Sequence, residues 1–416
     1  MNYKLKFNKK CLDVYIIHLI IFLFIGLVGI FSTPYKDLFI GIKKIITTRS
    51  ILLTDYMYVS GIGATLLNAS ITSLLILMIY KINKTKPNGS MIMTLWLTLG
   101  FSMVGKNFIN IWPTIIGVYL YSKIQKDSFS NYVLIATLST SLSPISSELF
   151  EILNLNSYIT LLLSISISIL IGMILPPLAK FTLKMHQGYN LYNVGFANGL
   201  ITVLIISILN YFGIEIKQNL LWSTEYKTIS LFLVISLIIF LISLGIKKFH
   251  LSKLSNILRH SGRTITDFYL MYGNSSYLNM GILGIIFLSY IVIVNGDLNG
   301  PTIALLFCII GFGAIGKHPL NTIPLVLGVS FTAYISNIQL NTPTTILTSL
   351  GSTALAPISG QFGVIIGFIT GCLHLILMKY IGHLSGGINL YNNGFIAGIL
   401  AIILIPIIDG FKKGDI

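Results

Sequence analysis

The stretch that decides the fold occurs twice, as GYNLYNVGFANG at residues 188–199 and as GINLYNNGFIAG at 387–398. Both copies keep the frame GxNLYNxGFxxG, an agreement too long to be chance. A second pair precedes it in the same order: GFSMVGKNFINIWPTIIG (100–117) matches GFGAIGKHPLNTIPLVLG (311–328) through GFxxxGKxxxNxxPxxxG. Because repeats fix the architecture of a chain, these pairs are the starting point for the fold.

Further pairs extend the match over the whole chain. STSLSPIS (139–146) corresponds to STALAPIS (352–359), and a weaker match joins TDYMYVSGIGATLLN (54–68) to TDFYLMYGNSSYLN (266–279). The chain is therefore read as an internal duplication of two membrane repeats: repeat 1 covers 1–215 and repeat 2 covers 216–416.

The composition indicates a protein whose solvent is largely lipid. Hydrophobic residues make up 54% and charged residues 9%, with a mean hydropathy of +0.86. A soluble domain carries about 25% charged residues. Apolar runs near the roughly 20 residues that cross hydrocarbon recur along the chain, and they lack the alternation of barrel strands. We expect an all-α, polytopic integral membrane protein. Its net charge of +15 is assigned to topology signals, and no nucleic-acid partner is expected.

Seven membrane segments are predicted in each repeat. Those of repeat 1 are 12–31, 57–80, 89–105, 107–122, 131–148, 157–183 and 188–211. Those of repeat 2 are 228–246, 268–294, 300–315, 319–336, 343–359, 361–381 and 388–409. Since seven is odd, repeat 2 should enter the membrane inverted.

Loop charges support the inversion. With the N-terminus inside, most of the 27 basic residues fall on inner segments, as the positive-inside rule requires. Matched loops also differ in charge: KINKTK (81–86) corresponds to NGDLNG (295–300). We expect a multi-pass protein of a bacterial cytoplasmic membrane with both termini in the cytoplasm.

Two segments fit this count less well. Residues 33–55 place several basic residues on the predicted outer face, which suggests an amphipathic stretch at the membrane interface or a re-entrant span. Span 89–105 is short and the turn at Lys106 is tight, so the third and fourth segments of repeat 1 could form a hairpin that does not fully cross.

The STxLxPIS module is the first candidate site. A proline inside a helix removes a hydrogen-bond donor and frees backbone carbonyls. Broken helices at membrane depth survive where they line a cavity or pack inside protein, and in transporters with inverted repeats they hold the solute. The alternative is a kink repaired by neighbouring helices. The candidate solute-binding residues here are Thr140, Ser141, Pro144, Ser146, Thr353, Pro357 and Ser359.

The NLYN module supplies the other candidate solute ligands. Asn190 and Asn193 are three residues apart, as are Asn389 and Asn392, so each pair lies on one helix face. Uncharged amides suit a polar solute. They equally suit a symmetric helix junction, because the glycines around them allow close helix contact.

Matched charged residues are candidates for gating or ion binding. Lys106 and Lys317 share the Gly-Lys turn, where a snorkelling lysine is the alternative. Asp55 and Asp267 are the one matched acidic pair, and helix N-capping also explains them. Neither the cysteine spacing nor any histidine indicates a metal site, and no nucleophile–base or P-loop motif is present. We expect no metal, no cofactor and no enzymatic activity.

Together the duplicated motifs resemble an uncharacterised bacterial integral-membrane family that carries a domain-of-unknown-function label. The phrases that carry the resemblance include GFSMVGKNFINIWPTIIGVYLYSK, HQGYNLYNVGFANGL, STALAPISGQFG and GGINLYNNGFIAGIL. The resemblance spans nearly the whole chain and implies no activity. A fainter analogy to urea transporters fails at Leu66-Leu67-Asn68, where that family has Asn-Pro.

The functional interpretation is a secondary transporter of a small polar or anionic solute, working by alternating access. Scarce carboxylates argue against a multivalent cation. The alternatives are a passive channel for a small neutral solute and a non-transporting membrane scaffold. The expected partners are the lipid bilayer and a small solute; a coupling ion and a second copy of the chain remain open.

Overall fold

A computed structural model describes residues 13–48, 54–152, 156–214, 220–247, 250–263, 266–385 and 389–412. The chain ends used to orient the protein, the boundary at 215–216, and Gly387 and Ile388 of the second NLYN module lie outside these ranges. Apart from two isolated β-bridges, the regular structure of the described ranges is helical. The predicted all-α class is confirmed.

Nine α-helices form repeat 1. They are α1 (Val14–Phe31), α2 (Tyr35–Thr47), α3 (Tyr56–Ile82), α4 (Gly89–Phe101), α5 (Trp112–Ile124), α6 (Val133–Ser139), α7 (Pro144–Ile152), α8 (Ser157–Met185) and α9 (Asn193–Tyr211). The predicted segments correspond to these helices in order, and α2 occupies the basic stretch that the span count left over. It is amphipathic, as expected for a helix at the membrane interface.

The helices of repeat 2 follow the same order. They are α10 (Lys227–Ile246), α11 (Leu251–Leu258), α12 (Phe268–Tyr272), α13 (Ser275–Ile293), α14 (Gly300–Phe312), α15 (Pro319–Ile335), α16 (Pro343–Ser352), α17 (Ala356–Phe362), α18 (Val364–Ile381) and α19 (Asn392–Lys412). Here α11 matches α2, and α12 with α13 matches the single helix α3.

A matched pair of glycines bends both repeats at this place. Gly61 interrupts α3 with φ +77°, and Gly273 separates α12 from α13 with φ +58°. Only glycine adopts such angles readily, because it has no Cβ to clash with the backbone. Both repeats therefore bend at the same place, although only repeat 2 shows two separate helices.

The lengths of the helices separate full spans from shorter ones. Nine helical segments in the described ranges have at least 18 residues and enough hydropathy to cross a membrane. By contrast α4 and α5 have 13 residues each, about 20 Å at 1.5 Å per residue, against a hydrocarbon core of about 30 Å. The third and fourth segments of repeat 1 thus form the short hairpin anticipated around Lys106.

The packing of α4 against α14 shows how the repeats are related. Gly89, which begins α4, lies beside Ala314 just after α14. Gly300, which begins α14, lies beside Met103 just after α4. These two equivalent helices are therefore antiparallel. A two-fold axis relates equivalent helices in this way only when it runs across them, in the plane of the membrane, so the repeats are inverted.

The outer surface is strongly apolar. The longest helix, α8, and its counterpart α18 are largely exposed, with Leu162 at 68% and Ile365 at 76% exposure. A soluble protein rarely leaves such continuous apolar surface open. These two helices face lipid, and the polar motifs of both repeats are buried between them.

Candidate functional site

The two STxLxPIS modules interrupt their helices as predicted. A 3-10 turn at Thr140–Leu142 separates α6 from α7, and one at Thr353–Leu355 separates α16 from α17. The hydroxyls bond back within their own helix: Thr140 Oγ1 donates to Thr137 O at 2.7 Å and Ser141 Oγ to Leu138 O at 2.8 Å. The helical breaks are confirmed and buried, but these hydroxyl protons are already used.

The carbonyls freed at the breaks are satisfied by the opposite repeat. The backbone N–H of Leu390 donates to Ser141 O at 3.3 Å, and that of Leu191 donates to Ala354 O at 2.9 Å. Within repeat 1, Asn198 Nδ2 also donates to the hydroxyl of Ser141. Each break is thus bridged to the NLYN module of the other repeat, a pairing that neither repeat could supply alone.

The first asparagine of each NLYN module forms a reciprocal bond between repeats. Asn190 Nδ2 donates to Gly394 O at 2.9 Å, and Asn389 Nδ2 donates to Gly195 O at 3.0 Å. Their side-chain oxygens accept from backbone N–H groups two residues on. A Cβ built on Gly195 would lie 2.6 Å from Tyr391 O, so α9 and α19 cross where only glycine fits. This is the arrangement of a symmetric helix junction.

The second asparagine of each module bonds within its own repeat. Asn193 Nδ2 donates to Ala179 O on α8 at 2.9 Å, while Asn193 Oδ1 lies 2.8 Å from both Thr182 Oγ1 and His186 Nε2. Asn392 Nδ2 donates to Gly382 O at 2.8 Å. These bonds tie the start of α9 to α8 and the start of α19 to the end of α18.

The matched lysines also bind across the repeats. Lys106 Nζ donates to the hydroxyl of Tyr391 at 2.8 Å and lies 4.8 Å from the centre of that ring. Lys317 Nζ donates to the hydroxyl of Tyr192 at 2.6 Å and to Thr353 Oγ1 at 2.8 Å. Both lysines are 0% exposed, so neither snorkels. The bonds that the described residues make to the two ammonium groups come from hydroxyls, with no carboxylate among them.

Asparagines fix the turns that carry these lysines. Asn68 Nδ2 donates to Lys106 O at 2.9 Å, and Asn279 Nδ2 donates to Lys317 O at 2.8 Å. The conserved spacing between copies, GKxxxN, adds Asn110, whose Nδ2 donates to Gly105 O at 2.9 Å. Asn68 and Asn279 end the weakly matched stretches 54–68 and 266–279. Their match was visible in the sequence, but no role was predicted for either asparagine.

The aspartates cap helices in both repeats at once. Asp55 accepts from Met57 N at 2.9 Å in its own helix and from Gly300 N at 3.2 Å, at the start of α14. Asp267 accepts from Leu270 N at 2.9 Å and from Gly89 N at 2.8 Å, at the start of α4. A carboxylate at a helix N-terminus satisfies otherwise unpaired N–H groups. Asp55 therefore joins repeat 1 to the start of α14, and Asp267 joins repeat 2 to the start of α4.

A cavity of about 650 Å³ lies beside repeat 1. It is enclosed by α4, α5, α6, α8 and α9, and its inner end reaches α14 and the second NLYN module. Exposed Gln125 and Lys180 stand at its mouth, whereas buried Tyr192, Tyr391 and Cys308 line its inner end. The volume suits a small molecule, since ligand pockets measure about 300–1,000 Å³.

The matching position in repeat 2 is nearly filled. A cavity of about 20 Å³ remains there. Its lining includes Pro301, Leu347 and Leu390, the counterparts of Ser90, Leu134 and Leu191 in the large cavity. The two repeats thus share helices and motifs but enclose very different volumes.

The predicted site residues stand in different relations to this cavity. Among the residues that form its described wall, Asn193 is the predicted one. The following lie behind the wall or at the repeat junction, and their solute-binding or gating role stays a prediction: Thr140, Ser141, Pro144, Ser146, Asn190, Thr353, Pro357, Ser359, Asn389, Asn392, Lys106, Lys317, Asp55 and Asp267. The wall residues that sequence reasoning missed include Tyr192, Tyr391, Cys308 and Asn393. The two tyrosines could have been found from the sequence, because each is the tyrosine of an NLYN motif.

Comparison with known proteins gives a family. A family model described as "Protein of unknown function (DUF1576)" matches residues 35–211 and 246–410, one region in each repeat. The match covers most of the chain, so the chain belongs to this family, and the resemblance drawn from its motifs is confirmed. No curated protein and no solved structure matches.

Proposed function

We propose that the protein is a secondary transporter of a small polar or anionic solute, which it moves by alternating access between its inverted repeats. The main support is the pair of matched cavities, of which one is open and measures about 650 Å³ and the other is closed and measures about 20 Å³. Inverted repeats that exchange conformations convert a cavity open to one side into a cavity open to the other.

Buried charge beside the cavity supports a functional site. Ionisable residues inside a membrane protein are costly, and they usually mark a solute or ion pathway. Lys106 and Lys317 are both fully buried at the inner end of the hairpins, and each binds a tyrosine that lines the cavity. A fold stabilised only by packing has no need of two such groups.

The charges around the mouth give the proposed orientation. Exposed Lys123, Lys126 and Lys180 stand on the side where the cavity opens, and the loop with Lys81 and Lys84 adjoins it through the bond from Ser130 Oγ to Asn83 O. By the positive-inside rule this is the cytoplasmic side of a bacterial inner membrane. The open cavity then faces the cytoplasm.

The orientation has a direct test. A single cysteine at Thr85 should react with a membrane-impermeant maleimide only from the cytoplasm, and one at exposed Asn295 only from outside. Reaction of both from the same side contradicts the inverted arrangement.

Two alternative functions are a passive channel and a non-transporting scaffold. The closed repeat 2 cavity opposes a continuously open channel. The tightly bonded NLYN junction, in which Asn190 and Asn389 use their amides on backbone carbonyls, is what a scaffold would need. The large cavity lies beside that junction and is not required by it, so transport is the better supported function.

Flux into sealed proteoliposomes tests the proposal. Radiolabelled acetate, butyrate, glycine and urea serve as probes, and transport by a carrier should saturate and respond to an ion gradient. Leu134→Trp fills the cavity and should lower uptake at least about tenfold, while Ile208→Trp, on an exposed face of α9, should leave it unchanged. Unsaturable uptake would indicate a channel, and no uptake of any probe would favour the scaffold.

A further inference from the structure

The hydroxyl of Tyr391 has a proton to donate at the inner end of the open cavity. A lysine ammonium carries only donors, so in the Lys106–Tyr391 bond the tyrosine oxygen must accept. The O–H of Tyr391 then needs an acceptor of its own, and the bonds among the described residues supply none. Tyr391 is 6% exposed and lines the cavity. A buried donor without an acceptor costs free energy unless a ligand or water completes it.

The charge behind this hydroxyl is also incompletely balanced. Lys106 is fully buried and has one hydrogen-bond partner among the described residues, the oxygen of Tyr391. Its ammonium lies 5.7 Å from the ring centre of Phe101, a weak cation–π contact. A buried cation without a counterion is unfavourable. An anion that accepts from Tyr391 would supply the missing charge one hydroxyl away.

The second lysine–tyrosine pair, whose tyrosine also lines the open cavity, has more hydrogen-bond partners. Lys317 donates to Thr353 Oγ1 as well as to Tyr192, and Tyr192 also accepts from Cys308 Sγ at 3.0 Å. Thr140 is the counterpart of Thr353 and, like it, donates to a carbonyl of its own helix, but it makes no described bond to Lys106. Both tyrosines line the open cavity, and the pair with fewer described partners is Lys106–Tyr391.

The rest of the wall is mainly apolar. Leu97, Leu138, Leu305 and Leu390 surround the inner end, together with the ring of Phe101. A small hydrated inorganic anion would gain little from such a surface. An anion with a hydrocarbon body would bury that body there and gain the hydrophobic free energy of each methylene.

We propose that the inner end of the cavity binds an organic anion, its anionic head accepting from Tyr391 in front of Lys106 and its apolar body lying against the leucines. This assignment rests on the proposed function in one respect, that the cavity is the path of the solute. It assigns a chemical class to that solute and a specificity-determining role to the Lys106–Tyr391 pair.

Equilibrium binding tests the assignment without transport. The probe is radiolabelled butyrate on purified full-length protein in nanodiscs, at fixed ionic strength, with butyramide as the neutral competitor of nearly the same shape. Butyrate should bind at least about tenfold more tightly than butyramide, as expected for a hydrogen bond to a charged group. Hexanoate should bind more tightly than butyrate by roughly tenfold, from two further methylenes.

Tyrosine variants at the cavity and away from it test the site. Tyr391→Phe removes one hydroxyl and should weaken butyrate binding about tenfold, whereas Tyr290→Phe, which removes a hydroxyl bonded to Ser330 and Ser349 outside the cavity wall, should change it less than about twofold. Lys106→Met should weaken binding further. If Lys106→Met does not give monodisperse protein, Tyr391→Phe decides alone, because it scarcely alters packing.

Equal competition by butyramide and butyrate overturns the assignment, as does unchanged binding by Tyr391→Phe or no binding of either carboxylate. The transport proposal fails separately. Butyrate that binds but never crosses a proteoliposome membrane would keep the anion site and remove the transporter. Saturable urea uptake without anion binding would do the reverse.

Discussion

Repeat 1 and repeat 2 have the same helices and the same motifs, yet one encloses about 650 Å³ and the other about 20 Å³. Closure in repeat 2 has a visible cause. The side chain of Asn393 fills the space over Gly351, and its Nδ2 donates to Leu347 O at 3.4 Å. The counterparts of Asn393 and Gly351 in repeat 1 are Val194 and Leu138, which both line the open cavity.

Symmetry and asymmetry reside in different parts of the molecule. The bonds at the junction come in equivalent pairs, one made by each repeat to the other. Asn190 and Asn389 each bond a glycine carbonyl of the opposite repeat. Lys106 and Lys317 each bond a tyrosine there, and Asp55 and Asp267 each cap a helix there. The helices around the junction are packed differently in the two repeats. A stable symmetric centre with unequal flanks is what alternating access requires.

The largest expected effect is a difference in chemical access between matched positions. In a cysteine-free background, Leu134→Cys should react rapidly with a soluble maleimide, because Leu134 lines the open cavity. Leu347→Cys, its counterpart, should react at least about a hundredfold more slowly, since Leu347 is 7% exposed in the closed repeat. Labelling rates by mass spectrometry measure both. Equal labelling rates at the two positions would contradict the difference in openness between the two repeats.

The junction should respond symmetrically. Gly195→Ala and Gly394→Ala each place a methyl group within about 3 Å of the opposite backbone, at 2.6 Å from Tyr391 O and 2.7 Å from Tyr192 O. Overpacking of this kind costs about 1–3 kcal/mol. Both variants should lower the melting temperature in detergent by similar amounts. Gly410→Ala, which meets nothing within 4 Å, is the control. A drop in only one junction variant would contradict a symmetric centre.

The second NLYN asparagines should separate stability from uptake. Asn193→Leu and Asn392→Leu both remove bonds between a helix start and the preceding helix, worth about 0.6 kcal/mol each in membrane proteins. Both should lower the melting temperature. Asn193 also lines the cavity, so Asn193→Leu should reduce uptake more than its loss of stability explains. Equal effects of the two variants on uptake would give Asn193 a structural role only.

The smallest effect is expected at the caps between repeats. Asp267→Asn retains an acceptor but loses its charge at the N-termini of α12 and α4. Charge at a helix N-terminus contributes about 0.3–1 kcal/mol. Asp55→Asn should behave alike, so the two melting temperatures should fall by a few degrees at most. A collapse of folding in only one of them would show that the caps are not equivalent.

Much of the fold could be predicted because its signals are local or repeated. The proline and hydroxyls of STxLxPIS located both helical breaks, and the short span before Lys106 located the hairpin. The partners of those motifs could not be predicted from one sequence. Tyr391 lies 285 residues from Lys106 along the chain. The two meet because the NLYN module of each repeat packs against the other repeat.

The candidate site was harder for a physical reason. Sequence reasoning chose the asparagines because amides suit polar solutes, but buried amides also satisfy freed carbonyls, and three of the four do so away from the cavity wall. Tyr192 and Tyr391 stood within the same motif. The role of each tyrosine depends on the lysine that lies behind it. That neighbour is known only from the three-dimensional structure. The open and closed cavities likewise arise from packing that matched motifs do not encode.

The most direct test of alternating access is a pair of distances measured in one protein under transport conditions. Spin labels at Gln125 and Lys180 span the open mouth, and labels at Gln339 and Lys379 span the matched closed position; all four side chains are exposed. During turnover with a transported solute, double electron–electron resonance should show the first distance shortening as the second lengthens. Two distances that stay fixed, or that change in the same direction, would contradict alternating access.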